Sequence, residues 1–260
     1  MSKLQNFLNK NSVHAGAELP LVHTTQAFSL DGIIDSKLLK PTKCPVFVGE
    51  ELTYLFYGKP SYRARASASK SWLMPVCFLI RMSAVASIKR VFPFDSGAFH
   101  AGRHPAYLSV FNMAEFEVSG RDDPSKIVSA FFKTVRDYFK LIPKESSNFE
   151  SEYSLTVRDS EIRALRDLAG DSSLVGIDDR RFCVEVQTAE DISLTSGNVQ
   201  AVILPYDYLD DDLVVSFIES ELEAVPLPYE SFSLSSSEHT AIIYDKVYEF
   251  LRQEGGVHGV

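Results

Sequence analysis

Hydrophobic positions along this chain come in short runs, separated by polar, glycine- or proline-containing breaks. Leu19-Pro20-Leu21-Val22-His23-Thr24-Thr25 predicts a short strand ending in polar residues. Phe28, Ile33, Ile34, Leu38 and Leu39 follow at helix-like spacing until Pro41 ends the pattern. Val46-Phe47-Val48 predicts a small strand, and Glu50 to Tyr57 a helical turn with an aromatic face. Gly58-Lys59-Pro60-Ser61 is a turn signal, because proline fixes its own φ and restricts the residue before it. Tyr62-Arg63-Ala64-Arg65 leaves that turn, and a polar loop runs to Ser71. Trp72 to Arg81, dense in apolar residues, predicts a central strand. Val91 to Phe99 reads as a rigid aromatic loop in which Gly97 permits positive φ.

The second half is more helical. Val128, Phe131, Phe132, Val135, Tyr138 and Phe139 share one face of a helix predicted from about Pro124 to Leu141, with Asp123-Pro124 as its start. Lys144 to Tyr153 reads as a polar loop. A helix over Glu161 to Leu168 stops at Gly170. Phe182 to Val186 predicts a buried strand, and Val199 to Pro205 another. Asp210 to Leu222 predicts a helix with acids in its first turn. Glu223 to Tyr229, with two prolines, predicts an edge strand, and Ser237 to Gln253 a final amphipathic helix. This order predicts one α+β domain over residues 19–260, preceded by an arm at residues 1–18 that is a short helix or loosely held.

Composition narrows the class. With 260 residues, 45% of them hydrophobic, the chain is long enough to bury a full core. No run approaches the roughly 18 apolar residues of a membrane span. The N-terminal stretch lacks a continuous apolar segment, so no signal peptide and a cytoplasmic location are expected. Cys44, Cys77 and Cys183 are too few and too scattered for a disulfide framework or a zinc pattern, and no metal is expected. The net charge of −9 is unevenly spread. Between Lys37 and Arg103 eleven Lys/Arg face three acids, a balance of +8, which leaves −17 on the rest. A basic region on an acidic protein suits a locally held anion such as a diphosphate or a nucleic-acid strand. It also suits internal neutralisation between the two regions of the chain.

Three stretches carry candidate chemistry. Glu185 is a lone carboxylate inside the Phe182–Val186 strand, where an unpaired buried charge would cost several kcal/mol. It is therefore paired, functional, or a glutamate on a solvated strand face. His23-Thr24-Thr25 closes the first strand, just before a helix. Phe56 to Arg63 places aromatic rings and a guanidinium around a rigid turn, suited to stacking on a ring and clamping a phosphate. A cysteine hydrolase pairing one of the three cysteines with His23, His100, His104 or His239 has no flanking motif behind it.

The order of these motifs resembles the ADP-ribosyltransferases: a strand ending in His-Thr, a helix leading to Leu38-Leu39, a Tyr/Arg segment and a late glutamate strand. The likeness is to the DarT-like bacterial toxins and related phage-defence proteins, and it covers roughly residues 20–205. It implies a split β-sheet core with flanking helices, interrupted here by an inserted helical region at about 98–170. It further implies cleavage of the nicotinamide–ribose bond of NAD, used as a substrate, and transfer of ADP-ribose to a nucleic-acid or protein acceptor. For a toxin it implies an antitoxin as partner. On this resemblance Glu185 is the catalytic carboxylate, stabilising positive charge that develops on the ribose. Arg63 holds the diphosphate, His23 and Thr24 fix a ribose or the amide, and Tyr57 or Tyr62 stacks on nicotinamide. The competing expectation is a non-catalytic binding or adaptor domain that takes an anionic ligand or nucleic acid through the basic 37–103 region.

Overall fold

The computed structural model describes residues 1–61, 70–171, 173, 180–232, 234 and 236–254. In chain order its strands are β1 (Leu21–Gln26), β2 (Leu38–Leu39), β3 (Thr42–Lys43), β4 (Glu51–Tyr57), β5 (Pro75–Ile80), β6 (Arg90–Phe92), β7 (Glu185–Thr188), β8 (Ile192–Ser193), β9 (Val199–Pro205) and β10 (Val225–Tyr229). The α-helices are α1 (Lys3–Lys10), α2 (Leu30–Ser36), α3 (Ser96–His100), α4 (Ala106–Ser109), α5 (Asp123–Phe131), α6 (Val135–Lys140), α7 (Ser146–Glu152), α8 (Ser160–Gly170), α9 (Asp212–Ser216) and α10 (Ser236–Gln253). The fold class is α+β, as the pattern predicts. The described residues group into two compact units, each of discontinuous segments: those of Met1–Glu18, Ile88–Gln187 and Leu251–Val260, and those of Leu19–Ser87 and Thr188–Phe250.

The first unit is built of helices around aromatic side chains. The N-terminal residues are part of it and not a loose arm. Leu4, Phe7 and Leu8, spaced three and four apart on α1, are all buried. Phe7 lies 6.0 Å from Phe131, 6.1 Å from Phe149 and 4.9 Å from Tyr153 between ring centroids. The helix expected over 124–141 is in fact α5 and α6. Phe132 turns extended (φ −126°, ψ 150°), and the Thr134 hydroxyl caps the new helix by accepting from the Asp137 N–H at 3.0 Å. The apolar face continues across the break because Phe132 and Val135 remain buried. The stretch expected as a loop at 144–153 is α7, held by one buried ring, Phe149. The expected aromatic loop at 91–99 is the end of β6 followed by α3. There β6 runs antiparallel to β7, with Arg90 opposite Gln187 and Phe92 opposite Glu185.

The second unit carries a mixed sheet in the order β10-β9-β5-β1-β4-β3, with β9 and β10 parallel and the other pairs antiparallel. Val76 to Ile80 are fully buried, as expected of a central strand covered on both faces. β10 is the edge strand its prolines predict. Two expectations fail here. Residues 46–48 form a turn, in which the Val46 and Phe47 N–H groups donate to Cys44 Sγ at 3.2 and 3.0 Å. Residues 51–57 form strand β4 and not a helical turn, because antiparallel pairing with β1 and β3 uses their backbone groups.

Gly58 ends β4 at φ +77°, and its N–H donates to the Pro20 carbonyl at 2.8 Å. A Cβ there would stand 2.6 Å from Leu19 Cδ1. Gly58→Ala should therefore cost about 1–3 kcal/mol, from left-handed strain and the clash together. A urea denaturation midpoint unchanged from wild type would contradict this account of the turn.

Candidate functional site

In the first unit, the geometry converges on Glu185. Strand β7 is set in place from the side preceding Glu185. Phe182 packs 5.3 Å from Phe131 and 5.0 Å from Phe132, and the Val184 N–H donates to Tyr138 Oη at 3.2 Å. Glu185 follows, only 1% exposed. Opposite it, the chain leaving β6 turns into α3, capped by Asp95, whose Oδ1 accepts from the Ala98 N–H at 2.7 Å. That cap leaves the Ser96 N–H, in the first turn, free of an intrahelical partner and aimed at the carboxyl group.

Among the described residues three donors meet the Glu185 carboxyl group. The Ser96 N–H donates to Oε2 at 3.0 Å, the Ser96 hydroxyl to Oε1 at 2.7 Å, and Gln187 Nε2 to Oε1 at 2.6 Å. Gln187 sits two residues on and so shares Glu185's face of the strand. Its amide also donates to Ser96 Oγ at 3.3 Å, and its Oε1 accepts from Arg90 Nη1 at 3.2 Å. Arg90 Nε in turn lies 3.8 Å from Glu117. The Arg90 guanidinium thus meets Gln187 and Glu117, and among the described residues no ion pair with Glu185 is formed.

Burial, with the nearby Asp95 carboxylate second, pushes the Glu185 carboxyl up to about 8 from the usual 4.5. The three hydrogen bonds oppose that shift, since all of them favour the anion. The result is an acid poised near neutrality, surrounded by donors already oriented for its charged form. A cationic group arriving beside it would favour ionisation and gain an interaction with the resulting charge. Among the described residues no cluster of three or more His, Cys, Asp and Glu side chains could hold a metal ion.

No family model, curated protein or solved structure matches the chain.

The other candidate residues with described positions, His23, Thr24 and Tyr57, belong to the second unit. His23 is half-buried on β1, with Nδ1 3.0 Å from the Tyr54 carbonyl. A contact with a carbonyl requires the proton on Nδ1, so a neutral ring presents Nε2 as an acceptor. Burial lowers the histidine's pKa, which keeps it neutral, and the bond to Tyr54 opposes that shift. Thr24 points to the opposite face of the strand, where its hydroxyl meets Cys77 Sγ at 3.1 Å. Leu21 and Thr25 share His23's face of the strand.

Tyr57 is 1% exposed, and its hydroxyl accepts from the Leu19 N–H at 3.0 Å. Its ring is core, which corrects the expectation that it is open to stack on a ligand. Tyr62 and Arg63 lie outside the described residues. The basic excess at 37–103 is partly used internally: Lys37 pairs with Glu221 at 2.5 Å, Lys59 is 1% exposed, and Arg90 holds Gln187. All three cysteines are free and buried, and burial pushes the Cys77 thiol up to about 12, far from a thiolate near neutral pH.

Sequence reasoning missed Ser96, Gln187 and Arg90. The Glu-x-Gln spacing on a strand was a signal for Gln187, since alternate residues share a face. Ser96 had only the Asp-Ser-Gly cap pattern, which gives a helix start and does not name its partner.

Proposed function

We propose that the chain is an NAD-dependent ADP-ribosyltransferase in which Glu185 is the catalytic carboxylate. One observation carries the reading: a buried carboxyl group that, among the described residues, is held by three donors and makes no ion pair, and that is poised to ionise. Such a group suits a substrate whose positive charge moves from the nicotinamide ring to the ribose as the glycosidic bond breaks, the pair of electrons leaving with neutral nicotinamide. Ser96 and Gln187 hold the carboxylate oxygens so that the charge is oriented before substrate arrives. The acceptor of ADP-ribose is a nucleic acid or a protein, and a toxin role would require an antitoxin as partner.

The test is release of nicotinamide from NAD by the purified protein, alone and with single-stranded nucleic acid or protein as acceptor. Because Glu185 must be ionised and its carboxyl titrates near 8, kcat/KM should rise by about tenfold per pH unit well below 8 and level off above it. No nicotinamide at any pH between about 6 and 9 would end the reading. Release with a flat pH profile would instead remove Glu185 from the chemistry.

A further inference from the structure

In the second unit, four strand ends lie together. Gln26 of β1 pairs with Pro75 of β5, and Tyr229 of β10 pairs with Pro205 of β9. Antiparallel pairing of Cys77 with Ile203 brings the start of β5 beside the end of β9. Two further bonds lock the ends: the Ala27 N–H donates to the Met74 carbonyl at 2.8 Å, and Tyr229 Oη donates to the Pro75 carbonyl at 2.7 Å.

Each of these strand ends carries a large aromatic residue within three positions: Phe28, Trp72, Tyr206 and Phe232. They are 58%, 52%, 51% and 57% exposed. Four adjacent strands span about 14 Å at their usual spacing. Exposed aromatic residues scattered singly need no explanation, but four gathered along one sheet end do.

Among the described residues the charge around them is mostly negative. Asp31 and Asp207 are exposed and both raise the pKa of the Tyr208 hydroxyl, after burial, so they face the same group. Asp210, Asp211 and Asp212 follow, all exposed. Among the described residues a cation at the aromatic row sits on a ring face: Lys70 Nζ lies 5.9 Å from the Trp72 centroid. Aromatic faces amid carboxylates favour guanidinium and ammonium groups, which stack on the rings while pairing with the acids. The same carboxylates repel phosphates, and a second copy of a chain with net charge −9 gains nothing from this surface.

We propose that this end of the second unit's sheet is a docking surface for an arginine- or lysine-rich segment of a protein partner. The surface belongs to the second unit and does not depend on the transferase reading.

Trp72 is the only tryptophan in the chain, so its fluorescence reports on the surface directly. Titration of the full chain with a short peptide alternating arginine and leucine should shift Trp72 emission and saturate. The paired variant Asp31→Asn/Asp207→Asn should weaken the peptide at least about tenfold, and Phe28→Ser/Tyr206→Ser similarly, as expected when central contacts of an interface are truncated. Asp122→Asn/Glu145→Gln, which removes the same charge from the first unit, should leave affinity within about twofold. No change in emission, or equal weakening by the control pair, overturns the proposal. So does a matching response to a glutamate–leucine peptide or to oligothymidylate. A shift that depends on protein concentration without peptide would assign the surface to a second copy and also overturn it.

Discussion

Glu185→Gln should lower NAD turnover by about 10²–10³-fold while leaving NAD affinity nearly unchanged. That loss is typical of removing one preorganised charge from a transition state. The amide keeps the length of the side chain and enough polar capacity to stay within the Ser96 and Gln187 cradle. What disappears is the negative charge, which matters most as positive charge develops on the ribose. The same variant has a second, independent signature. The Glu185 carboxyl titrates near 8 in the folded protein and near 4.5 otherwise, so its contribution to stability is fully present below 4.5 and is lost as pH rises through about 8. Glutamine cannot lose it. Below pH 5 wild type and variant should unfold at similar urea concentrations, because a protonated glutamate and a glutamine are close in shape and charge. By pH 9 wild type should be less stable than the variant, by an amount on the order of several kcal/mol. Parallel stability curves from pH 5 to 9 would show that the carboxyl is not held up by burial. Normal turnover by a folded variant would end its catalytic role.

Phe131→Ala should destabilise the protein by about 3–5 kcal/mol, a large share of the roughly 5–15 kcal/mol that holds a typical domain together. The ring is completely buried at the centre of the first unit. It stands 5.3 Å from both Phe149 and Phe182 and 6.0 Å from Phe7. Truncation leaves a cavity that three rigid rings on separate elements cannot close together, since each is already committed elsewhere. Phe182 lies three residues before Glu185, which opens β7, so the same cavity loosens one support of the candidate site. A loss below about 1 kcal/mol by urea denaturation would mean that the site collapses freely and that the cluster is not a packed core.

Much of the architecture could be read in one dimension. Periodicity located α10 and α8, the unbroken apolar run located β5 and β9, and two prolines marked β10 as an edge. The failures share a physical cause. β4 was read as a helical turn because seven residues with apolar side chains on both faces have no decisive period. Its backbone partners, β1 and β3, lie elsewhere in the chain. The break between α5 and α6 is invisible to apolar spacing, which continues through it. It arises from a local contest that Thr134 wins by capping the Asp137 N–H. α7 was missed because a single buried ring, Phe149, gives no repeat at all, and residues 1–18 were left as a short helix or a loose arm because three apolar positions were too few to show that they would be covered.

The candidate site divides in the same way. Glu185 was legible because a carboxylate in an apolar strand conflicts with its surroundings, and that conflict is written in the local sequence. Thr24 and Tyr57 were misjudged because strand alternation and core burial decide which way a side chain points, and proximity to a motif does not. The sequence by itself determined the α+β class, the central strands and the one carboxylate whose burial needs a reason. The tertiary structure alone decided that reason: Ser96, 89 residues from Glu185 along the chain, supplies two of its three hydrogen bonds. Hydrophobic periodicity is a property of neighbours in sequence, whereas a cradle of donors around a buried charge exists only when distant segments are brought to hydrogen-bonding distance.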